Sequence, residues 1–313
     1  MESVAPSRHL SHRRRAARSV TRHWQLYLVL LLPMTYIVVF HYVPMYGVQI
    51  AFRQYNYYDG ILGSQWIGLT HFETFFRSPM FLRLLGNTLT LSVYQLAAGF
   101  PFPILLAIAI NESRFRLFKK TVQTVTYAPH FISMVVFISM VTQVLSLRSG
   151  ILNHVIEALG GERINFMGIP ELFQSIYVWS GVWQNTGYSA IIYLAALAGI
   201  DPTLHEAAIV DGATQFQRIR HIDIPGILPT IVILLILNTG QIMNVGFEKV
   251  FLLQNPLNIV RSEVIATYVY QVGLVSGNFS FSAAVGLFNS IVNFILIISV
   301  NAIARRVGET SLW

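Results

Sequence analysis

The sequence predicts an all-α integral membrane protein with six transmembrane helices and both termini cytoplasmic. Three observations carry this. Of 313 residues, 54% are hydrophobic and 11% charged, against roughly 45–50% and roughly 25% in soluble domains. Several apolar runs reach the about 20 residues that cross a bilayer core of roughly 30 Å. Arginine and lysine are unevenly divided among the loops between those runs, as expected when positive charge sets orientation.

Residues 1–25 form a basic cytoplasmic segment holding Arg8, Arg13, Arg14, Arg15, Arg18 and Arg22. The apolar run at 26–43 is longer than the roughly 7–15 residues of a signal-peptide core and has no small-residue cleavage pattern behind it, so it reads as a retained span. That also argues against twin-arginine export for Arg13-Arg14-Arg15. Further spans follow at 84–110, 121–145, 172–199, 227–245 and 281–303, making 26–303 the transmembrane domain. Residues 264–275 are too short and mixed to cross. Residues 304–313 form a cytoplasmic tail.

This arrangement places Arg114, Arg116, Lys119, Lys120, Arg218, Arg220, Arg305 and Arg306 inside with the six N-terminal arginines. Outside lie Arg53, Arg77, Arg83, Arg148, Arg163, Lys249 and Arg261. Fourteen positive charges against seven support the orientation, and the outer connections are the longer ones. The net charge of +7 therefore reads as membrane topology and not as a nucleic-acid surface. With no cysteine, disulfides, zinc-cysteine sites and thiol nucleophiles are excluded.

Pro33, Gly99, Pro101, Pro103, Gly181 and Gly187 interrupt spans. Proline frees backbone groups that lipid cannot satisfy, so these positions belong against other helices or a water-filled pathway. The spans carry amides and aromatics instead of charges: Trp183, Gln184, Asn185, Tyr188, Asn238, Gln241, Asn244, Asn289 and Asn293, with Gln95 and Gln143. Such groups suit either a path for sugar hydroxyls or hydrogen bonds between helices.

The inner loop at 201–226 is the most informative segment. Asp201 is placed to cap a short helix with Pro202 at its first position, and Gly212 ends it at a corner where positive φ is cheap. A second helix carries Phe216, Ile219 and Ile222 on one side, and Pro225 is expected to end it. Ala207, Ala208, Ile209, Val210, Ala213 and Phe216 make this loop unusually apolar. They require cover from the bundle's own underside, the membrane interface or a docked partner.

There is no Gly-x-x-x-x-Gly-Lys-Ser/Thr phosphate loop, so ATP is not bound in that way. His205-Glu206 lacks the second histidine of a zinc helix, since position 209 is Ile209. The near absence of ionisable groups at span centres argues against a secondary carrier or channel, the alternative class of membrane transporter.

Glu206-Ala207-Ala208, Asp211-Gly212-Ala213, Phe216, Ile222, Pro225 and Pro229 together resemble the inner-loop motif of permeases of binding-protein-dependent ABC importers. The carbohydrate branch is also resembled by Val43-Pro44-Met45-Tyr46-Gly47, Trp66-Ile67-Gly68-Leu69, Asn87-Thr88, Tyr127 to Ser133, Ile192 to Leu197 and the ending Gly308 to Trp313. Within that branch the chain is most similar to permeases importing oligo- or polysaccharides of plant and algal walls, alginate among them.

The resemblance implies a type I importer permease fold in a bacterial inner membrane, spanning it several times. It implies two ATP-binding cassette subunits, which hold ATP and Mg, and a second homologous permease completing a heterodimer. It also implies an extracytoplasmic sugar-binding protein docking on 44–83 and 246–280. In this chain, Glu206 would make polar contact with the ATPase, Gly212 would form the corner, and Ala207, Ala208 and Phe216 would fill its groove. Outside, Arg53, Arg77 and Arg83 would either attract an acidic saccharide or anchor the interface.

Overall fold

The computed structural model describes residues 23–307. The N-terminal arginine cluster and the ending 308–313 lie outside the described residues. The chain divides into two compact units, Met1–Ile67 and Gly68–Trp313.

In the first unit, α1 (Trp24–Ile37) continues through a π-helical turn at Val38–Tyr42 and further helical turns to Phe52. The resulting apolar helix of 29 residues, Trp24–Phe52, is longer than the expected 26–43. Pro33 lies inside α1, which buries none of its residues, as befits side chains solvated by lipid.

A small antiparallel hairpin follows, an exception to the all-helical expectation, formed by β1 (Arg53–Asn56) and β2 (Ser64–Trp66) around α2 (Gly60–Gly63). Arg53 Nη1 donates to the carbonyls of Leu62 at 3.0 Å and Ser64 at 2.8 Å, and its guanidinium lies 5.4 Å from the centre of the Trp66 ring. This arginine is a clip within the hairpin.

The second unit opens with α3 (Thr70–Arg77), which buries Phe72 and Phe75. Next come α4 (Met80–Gly99) and α5 (Pro101–Glu112). Phe100 keeps helical φ and ψ, so the helix continues through Pro101, whose missing N–H removes one hydrogen bond to the preceding turn. Met80–Glu112 is thus one 33-residue candidate span.

The third span differs from expectation. Residues 121–145 read as a single crossing, but α6 (Arg116–Tyr127) runs through a 3-10 turn at Ala128–Phe131 and then bends by 102° into α7 (Met134–Val144). Pro129 sits in that turn, and Ile132 and Ser133 have extended ψ. The bend follows from proline's missing donor and from the extended backbone at Ile132 and Ser133 that separates the two helices.

After α8 (Ile151–Ala158), α9 (Phe173–Ala198) has 26 residues, about 39 Å of helix. A 70° bend leads to α10 (Pro202–Val210). The next helix corrects the sequence reading. Pro225 does not end a short helix: α11 (Gln215–Arg218), a π-helical turn at Ile219–Asp223 and α12 (Ile224–Thr239) form one 25-residue run. The proline falls in the first turn of α12, and the widened π turn before it accommodates the missing donor.

The connection to the last span holds α13 (Phe247–Leu253), α14 (Ile259–Ser262) and α15 (Ile265–Tyr270). A π turn extends α15 to Val275, and this apolar helix is too short to cross, as expected. The final helix is α16 (Phe279–Val307). Among the described residues four helical runs are long and apolar enough to cross a bilayer, and the total reaches six if each bent pair is one span.

Three apolar clusters organise this unit. One gathers Phe137 of α7, Tyr177 and Val178 of α9, and Val250 of α13. The second joins Phe75, Leu84, Ile265 and Phe281, and the third joins Ala107, Ala190, Tyr193 and Ile227. Helix α9 serves two of the three, so it is the central post of the bundle.

Polar clamps tie α4 to the outer connection. Asn87 Nδ2 donates to the carbonyls of Val260 and Glu263, each at 2.9 Å. The Thr88 hydroxyl accepts from the Ile265 N–H at 3.1 Å. Arg83 is paired with Glu263 at 2.6 Å, which ties the start of the helix to the same connection. Replacing Asn87 by Leu leaves two partly buried carbonyls without that donor. The expected loss is about 1–3 kcal/mol, read as a lower thermal midpoint of the purified protein.

Candidate functional site

The inner loop is built by local rules. The Asp201 carboxylate accepts from the Thr203 N–H at 3.0 Å, starting α10 with Pro202 in its first turn. Gly212 turns the chain at φ +75°, while the N–H groups of Gly212 and Ala213 donate back to the carbonyls of Ile209 and Ala208. Thr214 and Gln217 then form a reciprocal capping box that starts α11. Two helix ends thus meet at one glycine.

The loop leaves apolar side chains uncovered. Ile209 is 58% exposed, Val210 87% and Phe216 70%. Glu206 and Ala207 are also exposed, and Ala208 and Ala213 are half-buried. Ala208, Asp211, Gly212 and Ala213 face a shallow recess shared with Gln217, Arg218, His221 and Ile222. Pro225 lies away from that recess, inside the helix.

Beneath the loop, Asp223 is fully buried, with His205 Nε2 3.3 Å from its Oδ1. Neither carboxylate oxygen has a well-aligned hydrogen bond, so the imidazole is a close polar neighbour. This contact joins α10 to the base of the fifth span. His205→Ala strands a buried carboxylate and is expected to cost about 1–3 kcal/mol. Adding Asp223→Asn should restore part of the lost thermal midpoint, because an amide needs no counter-charge.

The second candidate region is a cavity of about 560 Å³ among α4, α5, α9, α12 and the turn after it. Asn185, Tyr188, Asn238, Gln241 and Asn244 line it, together with Ser92, Gln95, Tyr177 and Gly181. Mixed amides and aromatics on an apolar wall suit a neutral polyol, which needs both hydrogen bonds and ring contact. His130 stacks on Tyr188 at 3.9 Å between ring centres and its Nδ1 lies 3.0 Å from Asn185 Oδ1, which orients both.

Four other residues proposed from the sequence lie elsewhere. Trp183 is exposed and stacks on Phe137, and Gln184 is buried within α9. Asn289 donates to Asn244 Oδ1 at 3.1 Å, holding a lining residue from behind. Asn293 accepts from the Met243 N–H at 3.0 Å and shapes the turn that follows α12.

Gly99, Pro103 and Gly181, expected against other helices or a water-filled pathway, line the cavity, whereas Tyr177 and Lys249 are site residues that the sequence does not single out. Lys249 was counted with the outer charges, yet it is buried inside the bundle and donates to the Tyr177 carbonyl at 2.7 Å. Lys249 sits four residues before Leu253 on a face with Val250, and that apolar spacing was the only signal that α13 packs inward.

Residues 99–309 match the model of the binding-protein-dependent transport system inner membrane component. The chain belongs to this family. Among its relatives is the polygalacturonan/rhamnogalacturonan transport system permease protein YteP of Bacillus subtilis (strain 168), 44% identical over 96% of this chain and 94% of the relative. Protein LplB of the same organism is 42% identical over 92% and 91%. A solved bacterial alginate ABC transporter, in complex with an alginate pentasaccharide-bound periplasmic protein, contains a chain that is 40% identical. It superimposes with a TM-score of 0.87 over 94% of this chain and 99% of that one. This permease is therefore a multi-pass inner-membrane component of an ABC importer with the type I fold, as its motifs predicted.

Proposed function

We propose that this permease imports an acidic oligo- or polysaccharide, handed over by an extracytoplasmic binding protein, through alternating access driven by two ATP-binding cassette subunits. The observation that carries the energetic half is the loop at 201–226. Its exposed Ile209, Val210 and Phe216 flank a rigid glycine corner, and such a surface calls for a protein partner. The ATPases would seat on it, with Glu206 at the polar rim and Ala207, Ala208, Asp211, Ala213 and Phe216 against their groove. ATP and Mg belong to those subunits.

A second homologous permease would complete the pathway as a heterodimer, so the cavity described above is one half of its wall. A saccharide is supported by the amide and aromatic lining of that cavity, and its acidic character only by the polygalacturonan/rhamnogalacturonan and alginate named for the two relatives. When the ATPases close on ATP, the paired loops would be drawn together and the helices tilted to open the path outward. Hydrolysis would reverse this.

The test is co-expression with the partner permease, the ATPase and the binding protein, followed by reconstitution in vesicles. Expected is ATP-dependent uptake of oligogalacturonate or oligoalginate, with ATPase stimulation by the loaded binding protein. Saccharide or ion flux through this chain alone, without ATP, would point instead to a channel or carrier.

A further inference from the structure

The chain has three lysines, and Lys249 alone of them is buried, at 6% exposure. Its ammonium has one hydrogen-bond acceptor, the Tyr177 carbonyl, and lies 4.6 Å from the Tyr177 ring centre and 5.6 Å from that of Phe137. Among the described residues no carboxylate lies within 4.0 Å of it. Burial without a counter-charge pushes the Lys249 amine down to about 7, so an approaching anion would favour its charged form, and with one carbonyl and two ring faces around it the group keeps donor capacity unused. Apolar packing of α13 would not require a lysine here.

Its position gives the reason. A Cβ built on Gly181 would stand 2.9 Å from Lys249 Nζ and 3.2 Å from Gln95 Oε1. Gly181, Gln95 and Tyr177 all line the cavity. Lys249 is not itself a lining residue of the cavity, but the missing side chain at Gly181 leaves its amine directly behind the wall at that point. Gln95 Oε1, on the same spot, is buried without a hydrogen-bond partner. One cation and one amide converge on a gap in a wall otherwise made of neutral groups.

We propose that Lys249, reached through the gap at Gly181 and flanked by Gln95, is a subsite for the carboxylate of a uronic-acid unit and gives the pathway its preference for acidic over neutral saccharides. This rests on the import of saccharide proposed above. A hydrogen-bonded ion pair in a site shielded from water is stronger than one at the surface. One carboxylate per sugar ring lets successive units occupy the subsite as the chain advances.

The experiment uses the complete transporter in lipid nanodiscs, without binding protein, and two probes: trigalacturonate and the neutral galactose trimer. The wild-type complex is expected to bind the acid at least about tenfold more tightly than the neutral trimer, and Lys249→Gln to remove most of that margin. Lys249→Arg should keep it. Gly181→Ala keeps the lysine in the sequence but its Cβ, 2.9 Å from the present position of Nζ, pushes the amine back from the gap, and it should weaken the acid selectively.

Equal binding of both trimers by the wild type overturns the proposal, as does unchanged acid binding in Lys249→Gln. Should Lys249→Gln fail to assemble, Gly181→Ala decides: acid binding like the wild type overturns the subsite, and selective loss supports it. Uptake by the wild-type transporter with ATP and binding protein is measured separately. Absence of any saccharide uptake there defeats the import reading, whereas uptake without charge preference in the binding assay defeats only the subsite.

Discussion

Gly212→Pro is expected to cut ATP-driven saccharide uptake by about 5- to 150-fold, the range of a typical coupling free energy, while the protein still reaches the membrane. The corner at Gly212 has φ +75°, and proline is held near −65°. Proline also removes the N–H that bonds the Ile209 carbonyl. The last turn of α10 and the capping box at Thr214 can then no longer keep their mutual angle. No atom lies within 4 Å of a Cβ at this position, so the backbone, and not space, is the constraint.

That makes a graded series informative. Gly212→Asn should keep most uptake, because asparagine tolerates the left-handed region. Gly212→Ala should fall between, with a strain of about 1–2 kcal/mol. Uptake, ATPase stimulation and the amount of permease in the membrane are measured side by side. Normal uptake in the proline variant would remove the loop from the coupling path.

Gly187→Leu should abolish assembly of the bundle, with Gly187→Ala already lowering stability by about 1–3 kcal/mol or more. A Cβ on Gly187 would stand 2.1 Å from the Thr126 carbonyl oxygen and 2.4 Å from its carbon. Both belong to the backbone of α6, so no rotamer change relieves them and the helices must separate. Gly86 is the control: nothing lies within 4 Å of its Cβ, and alanine there should be neutral or stabilising by about 0.5–1 kcal/mol. Size-exclusion profiles and thermal midpoints of the purified complexes check both.

The inner loop was the most legible part of the chain. Asp201, Pro202, Gly212 and Thr214 act on their own neighbours within three or four residues, and caps and positive-φ corners are chosen at that range. Ile209, Val210 and Phe216 stood out because apolar residues in an aqueous loop need cover. Pro225 was misread because proline usually ends a helix, whereas here a π turn lets the helix run on into the fifth span.

The pathway was legible only in kind. A span rich in amides calls for partners, but an amide may find them on a neighbouring helix or in a cavity, and composition does not distinguish these. Asn238 and Asn244 line the cavity while Asn293 is spent on the Met243 N–H, although all three look alike along the chain.

The apolar runs long enough to cross a bilayer and the corner at Gly212 follow from residue type and order, because lipid transfer and backbone sterics act locally. The 102° bend after Pro129, the approach of Gly187 to Thr126 and the inward turn of Lys249 depend on packing between segments far apart in sequence. Lys249 and Gly181 are 68 residues apart, and no local rule relates them. Only the folded bundle brings an ammonium to a gap left by a missing side chain.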